Sequence, residues 1–137
     1  MDNKELRILL AAETLIAKNG FHGISMHQLA KSAGIAVGTI YRYFEDKDAL
    51  LESLQHFIYR KIAEAILDHH DDSLPLFEQY QNLWLNSFDF VLNNHDCLAC
   101  KCQFEESPFS STEQRQTIID QHSKPIMAFY EAGKQQG

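Results

Sequence analysis

The stretch ISMHQLAKSAGIAVGTIYRYFEDKDALLESL, residues 24–54, decides how this chain folds. The Ser25 hydroxyl is placed to accept from the amide of Gln28, and the Gln28 side chain to reach back to Ser25, while Ile24 and Leu29 have the spacing of a hydrophobic staple. Two coincident signals therefore mark one helix start. Gly34 stops that helix after about two turns, because a C-cap in the left-handed region suits glycine. Ile35 and Ala36 lead into a third short helix over 37–44, in which Ile40 and Phe44 share a face at i, i+4. Two short helices across a tight glycine-containing turn are a helix-turn-helix pattern.

Working outward, Ile8, Ala11, Ala12, Leu15 and Ile16 make one apolar stripe ended by Gly20, which predicts a first helix near 4–19. On the other side, Asp46 is an N-cap for a long fourth helix with Asp48 in its first turn. Its apolar set runs from Leu50 to Ile66 at helical spacing, so the helix should reach about residue 68. Ser73, with Pro75 in the first turn, is expected to open a fifth helix that carries Phe77, Tyr80, Trp84, Phe88 and Val91 as a stripe. A less regular piece with a short helix around 98–106 follows. Ser111 should cap a last helix, kinked at Pro125, with Ile118, Ile119, Ile126 and Tyr130 along one side. Apolar residues nowhere alternate with a period of two, so the fold class is all-α.

The chain has 137 residues, about one domain's worth, and its 45% hydrophobic and 23% charged composition is that of a globular protein. The longest apolar runs, 8–12 and 126–130, are far shorter than the ~20 residues a membrane span needs. With no secretory signal at the start, the expected compartment is the cytoplasm and no membrane partner is expected. The formal charge of −7 hides an asymmetry. Residues 1–50 hold six bases against six acids, and the remaining 87 residues hold six against 13. Residues 22–44 contain Lys31, Arg42, His22 and His27 and no acid, and such a local positive field suits a phosphate partner.

A reader of duplex DNA must set a helix end in the major groove, fix its register with hydroxyls, amides and cations on phosphates, and keep acids away. Gly38 removes a side chain where backbone would approach the duplex. Thr39 offers a hydroxyl and a methyl. Tyr41 and Tyr43 are rigid hydroxyl carriers on either side of Arg42, which suits a guanine or the backbone. Ser25 and Lys47 stand at helix starts, where phosphate is attracted.

This stretch resembles the DNA-binding signature of the TetR/AcrR family of transcriptional regulators, most specifically in AGIAVGTIYRYFEDKDALL, and LLAAETLIAKNGFHGISM is similar to that family's first helix. The resemblance implies an N-terminal three-helix bundle with its helix-turn-helix over 1–46, then a helical effector-binding and dimerisation domain over 47–137. It implies phosphate contacts from Ser25, Thr39, Tyr41, Tyr43 and Lys47, with His27, Val37, Gly38 and Arg42 at or near base edges. Ala36 and Val37 depart from the family pattern of a Ser cap followed by Lys or Arg, which makes the expected operator contacts fewer and more apolar. The implied partners are double-stranded operator DNA, a second copy of the chain, and a small, largely apolar effector that releases a repressor from a palindromic site. Phe77, Tyr80, Trp84 and Phe88 are the candidate walls of the effector cavity, joined by Cys100 and Phe104. Members of the family continue for about two further helices, so the second domain is expected to be C-terminally truncated here.

Other readings stand beside this one. Cys97, Cys100 and Cys102 are an odd set with C-x-x-C-x-C spacing, unlike a zinc ribbon, and no metal or cofactor is expected. A thiol-based redox-sensing regulator is the alternative they suggest. A DNA-associated structural or cell-division factor on the same fold is another. Catalytic motifs are missing: there is no G-x-S-x-G, no phosphate loop and no H-E-x-x-H, so an enzyme is not expected.

Overall fold

The computed structural model describes residues 1–137 and contains eight α-helices, one short 3-10 turn and no strand. Helix α1 spans Asn3–Asn19, α2 Met26–Ala33, α3 Val37–Tyr43, α4 Lys47–Ile66, α5 Leu76–Asn93, α6 His95–Glu106, α7 Thr112–His122 and α8 Lys124–Gln136. The 3-10 turn, Phe21–Gly23, lies between α1 and α2. No helix is long and apolar enough to cross a membrane.

The chain forms two compact units, Met1–Ile58 with Asp96–Ser110, and Tyr59–His95 with Ser111–Gly137. This division differs from one at residue 46, since most of α4 and all but the first residue of α6 belong with the helix-turn-helix. The reason is burial. Ile8, Leu9 and Ile16 of α1, Leu29 of α2, Ile40 of α3, Leu50, Leu54 and Ile58 of α4 and Cys100 and Phe104 of α6 are all fully buried. Phe104 meets Phe21 edge-on with ring centroids 4.9 Å apart, and Phe109 at 6.1 Å. At the buried end of the same unit, Gln55 Nε2 donates to Ser110 Oγ at 2.8 Å.

Helix boundaries in this unit follow local chemistry. Asp2 caps α1 by accepting from the Glu5 amide at 2.8 Å. The capping box of α2 is complete: Ser25 Oγ accepts from the Gln28 amide and Gln28 Oε1 from the Ser25 amide, both at 3.2 Å. Gly34 ends α2 in the left-handed region, at φ 65° and ψ 37°. There Arg7 of α1 adds a contact with no local sequence signal, its Nη2 donating to the Ala33 carbonyl at 2.7 Å, a cation on a helix C-terminus. Gly34→Ala should therefore lower stability by about 1–2 kcal/mol, because the left-handed backbone is strained for alanine. The new Cβ would also sit 3.2 Å from Arg7 Nη2. Urea unfolding checks this, and an unchanged midpoint would refute it. Asp46 caps α4 through the Ala49 amide at 2.8 Å.

Beyond these, the helix boundaries depart from the sequence expectation at four places. Helix α4 stops at Ile66 because Asn86 of α5 donates to the carbonyls of Ile66 and Asp68, both at 2.9 Å, and so satisfies its end. Ser73 does not cap α5. Its amide and hydroxyl both donate to Asp71 Oδ1, at 2.9 and 2.6 Å, and Pro75 takes the N-cap position. Pro125 does not kink one long helix but separates two: α7, opened by a Ser111 and Gln114 capping box, ends at Ser123, and Pro125 falls in the first turn of α8. A ring that lacks a donor and collides with the preceding turn fits a helix start better than a helix interior. Of the residues expected along one side of that last segment, Ile118 is buried and Tyr130 is exposed. Helix α6 begins at His95, three residues before the expected start.

Candidate nucleic-acid interface

Helix α3 divides its residues cleanly by direction. Ile40 and the following Phe44 point into the core, whereas Gly38, Tyr41 and Arg42 are exposed and Val37, Thr39 and Tyr43 are half-buried. A Cβ built on Gly38 would meet nothing within 4 Å. This glycine is thus not required by packing inside the chain, and the open space above it admits another backbone. No side chain caps α3, whose N-cap position is Ala36; the Thr39 amide donates to the Ala36 carbonyl at 2.9 Å, and the amides of Val37 and Gly38 are left for an outside acceptor or for water.

The other predicted contacts surround this helix at element starts. Ser25 and His27 are exposed at the beginning of α2. The Ser25 oxygen is used as the cap acceptor, which leaves its hydroxyl proton available to an anion. Lys47 begins α4, with Nζ donating to the Phe21 carbonyl at 2.7 Å. That bond uses one ammonium proton of three and anchors the cation beside the helix-turn-helix.

Two residues that local reasoning did not find complete the surface. Lys4 shares with Thr39, Arg42 and Tyr43 a groove of about 320 Å3. The Tyr43 hydroxyl donates to Asp2 Oδ2 at 2.6 Å. This hydrogen bond raises the Tyr43 pKa above its ordinary value. The Asp2 carboxyl is held below its ordinary range, first by the Glu5 amide and then by the Tyr43 hydroxyl. Asp2 thus stays ionised at neutral pH and ties the start of α1 to the end of α3. Nothing in the order of residues could have indicated this, since 41 positions separate the two partners.

The predicted effector residues are not brought together. Phe77, Tyr80, Trp84 and Phe88 lie on α5 in the second unit, each more than half exposed. Trp84 and Phe88 stack with centroids 5.5 Å apart and planes 4° from parallel, and Phe77 and Tyr80 lie 6.5 Å apart. Cys100 and Phe104 are buried in the first unit, in the core beneath the helix-turn-helix. The second unit has one cavity of about 470 Å3 bounded by His70, Asp72, Gln79, Pro125 and Phe129. Another, of about 450 Å3, is bounded by Lys61, Glu64, Asn86, Asp89 and Phe90. Neither is lined by the four aromatic residues. Cys97 and Cys100 are buried, Cys102 is exposed, and none of the three forms a disulfide. No group of three or more His, Cys, Asp or Glu side chains is gathered in a way that could hold a metal ion.

Comparison with known proteins agrees with this architecture. Residues 8–54 match the model of bacterial regulatory proteins of the tetR family, and residues 75–137 match a tetracyclin repressor-like C-terminal domain. An HTH-type transcriptional regulator of Haemophilus influenzae is 37% identical over 102 residues, which cover 74% of this chain and 54% of that one. The fatty acid metabolism regulator protein of Bacillus subtilis is 47% identical over 115 residues, covering 84% of this chain and 58% of that one. The chain thus spans little more than half the length of these curated relatives. A TetR family protein of known structure from Vibrio parahaemolyticus superposes with a TM-score of 0.85 at 35% identity, over 98% of this chain and 73% of that one. With both sequence segments matched, and a helix-turn-helix whose α3 turns its polar side outward, the chain belongs to the TetR family of transcriptional regulators.

Proposed function

We propose that this protein is a DNA-binding transcriptional repressor that acts as a homodimer on a palindromic operator and is released by a small, largely apolar effector. The observation that carries the reading is the outward face of α3, where Gly38, Tyr41 and Arg42 stand exposed with no acid among them while Ile40 and Phe44 hold the helix from beneath. Ser25 and Lys47 flank that face as phosphate contacts, and His27 and Val37 extend it towards base edges. Two such units must enter successive major grooves about 34–36 Å apart. Helix α4, whose residues belong to both compact units, is the natural coupling element. An effector acts by shifting the population towards an arrangement that no longer matches that spacing.

For the effector, the exposed aromatic face of α5, from Phe77 to Phe88, is an apolar surface the chain offers, with Tyr80 and Trp84 each adding one polar tip. The Bacillus subtilis relative is a fatty acid metabolism regulator, which supports an apolar ligand class. The test of the DNA-reading function is selection of binding sites from a random duplex pool with the full-length gene product. A palindrome with half-sites one helical turn apart is expected, and a pool without enrichment would refute it.

Gly38→Ala separates folding from binding at this surface. Stability should hold or rise slightly, since the added Cβ meets nothing and alanine favours helix by about 0.5–1 kcal/mol over glycine. Affinity for the selected site should fall about tenfold, or about 1.4 kcal/mol, because the methyl occupies the space of the approaching duplex. Thermal melts and fluorescence anisotropy read the two effects separately. Unchanged affinity would mean that the α3 backbone does not approach DNA.

A further inference from the structure

Lys4 stands in the first turn of α1, outside the helix-turn-helix, yet it lines the same groove as Thr39, Arg42 and Tyr43 of α3. Its side chain is exposed and forms no ion pair, so its charge is not spent inside the protein. Asp2, two residues before it, is already committed. One of its oxygens accepts from the Glu5 amide at 2.8 Å and the other from the Tyr43 hydroxyl at 2.6 Å, at the positive end of the α1 dipole. A phenol has a single proton and a phosphate oxygen only accepts, so a Tyr43 that donates to Asp2 has nothing left to give to DNA. The donors that remain in the groove are the Lys4 ammonium, the Arg42 guanidinium and the Thr39 hydroxyl.

We infer that Lys4 is a contact to the DNA backbone phosphates, held against α3 by the Asp2–Tyr43 hydrogen bond, with Tyr43 a positioning residue. The inference rests on the DNA-reading function proposed above and extends the binding surface to the start of α1. It assigns the groove a phosphodiester rather than a base. The contribution of Lys4 is therefore independent of sequence and depends on salt.

The experiment measures affinity of the full-length protein for two labelled duplexes, the selected site and a scrambled sequence, between about 50 and about 200 mM salt. Wild type is compared with Lys4→Gln, Tyr43→Phe, the double variant, and Lys124→Gln as an exposed control on α8. Lys4→Gln should weaken binding to both duplexes by the same factor. Its plot of log affinity against log salt should be shallower by about 0.9 per lost contact, so that the wild-type advantage shrinks about 3.5-fold across that range. Lys124→Gln should match wild type. Tyr43→Phe should weaken binding with the same loss of slope, and the double variant should be no worse than Lys4→Gln alone, because both changes remove one contact.

A wild-type protein that binds while Lys4→Gln keeps its affinity and slope overturns the Lys4 assignment and leaves the DNA-reading function standing. Losses that simply add in the double variant overturn the positioning role of Tyr43 and return it to a direct phosphate contact. A wild-type protein that binds neither duplex overturns the function and this inference with it.

Discussion

Replacing Phe104 with alanine should lower the unfolding free energy by about 3–5 kcal/mol, the range for emptying a fully buried aromatic site. Phe104 is fully buried in the unit that carries the helix-turn-helix, with its ring edge-on to Phe21 at 4.9 Å and near Phe109 at 6.1 Å. Truncation removes the ring's contacts and leaves a void between the 3-10 turn and α6. Aromatic pairing adds about 0.5–1.5 kcal/mol beyond the area buried, which places this site towards the upper part of the range. In a thermal melt the change should lower the midpoint by on the order of 10 °C for a chain of this size. Phe104→Leu should recover most of the loss, since it refills most of the volume. A loss below about 1 kcal/mol for the alanine variant would mean that α6 is not part of this core. The consequence reaches function, because Phe21 also supplies the carbonyl that anchors Lys47, so a loosened turn disturbs a proposed phosphate contact.

Arg42→Ala should leave stability within about 0.5 kcal/mol, as exposed side chains away from special backbone do. Its effect belongs to binding. A guanidinium that reads the O6 and N7 of guanine is worth about 1–3 kcal/mol, so affinity for the selected site should drop between about 5-fold and about 150-fold. Site selection repeated with the variant should show preference relaxed at one base position in each half-site, and scrambled duplex should lose much less. A uniform loss on both duplexes, with a shallower salt dependence, would move Arg42 from base reading to the backbone. Lys4 and Arg42 line one groove, but the first is expected to change salt dependence and the second sequence preference. The two variants measured together therefore divide the surface into its positioning and its specifying parts.

Much of the first unit was legible in the linear order because its decisive interactions are short. Ser25 and Gln28 satisfy each other across three residues, Asp46 meets the amide of Ala49, and Gly34 ends α2 by its own backbone freedom. The inward pair of α3, Ile40 and Phe44, follows from helical spacing alone. The same logic misplaced the start of α5. Ser73 had an equally short partner on the other side, Asp71, and local chemistry does not say which of two neighbours an amide and a hydroxyl will choose. At Pro125 the local rule identified a disturbed helix, but whether the chain bends or restarts depends on how the segments pack. Here it restarts at Ser123, where the Met127 amide reaches the Ser123 carbonyl at 3.1 Å.

The candidate effector residues illustrate a different limit. A stripe of aromatics at helical spacing announces an apolar face without saying what covers it, and α5 buries Gln79, Leu83 and Phe90 while Trp84 and Phe88 stack in the open. Cys100 and Phe104 fall into another unit altogether. Helix type, helix starts and the outward set of α3 come from forces acting over three or four residues, and these are written in the order of the chain. The nearness of Phe104 to Phe21, of Arg7 to Ala33 and of Asp2 to Tyr43 comes from burying one shared apolar surface. Burial has no direction along the chain and leaves no local mark. For that reason the DNA-reading helix could be read from residues 24–54, while the core beneath it and the lysine beside it emerged only on folding.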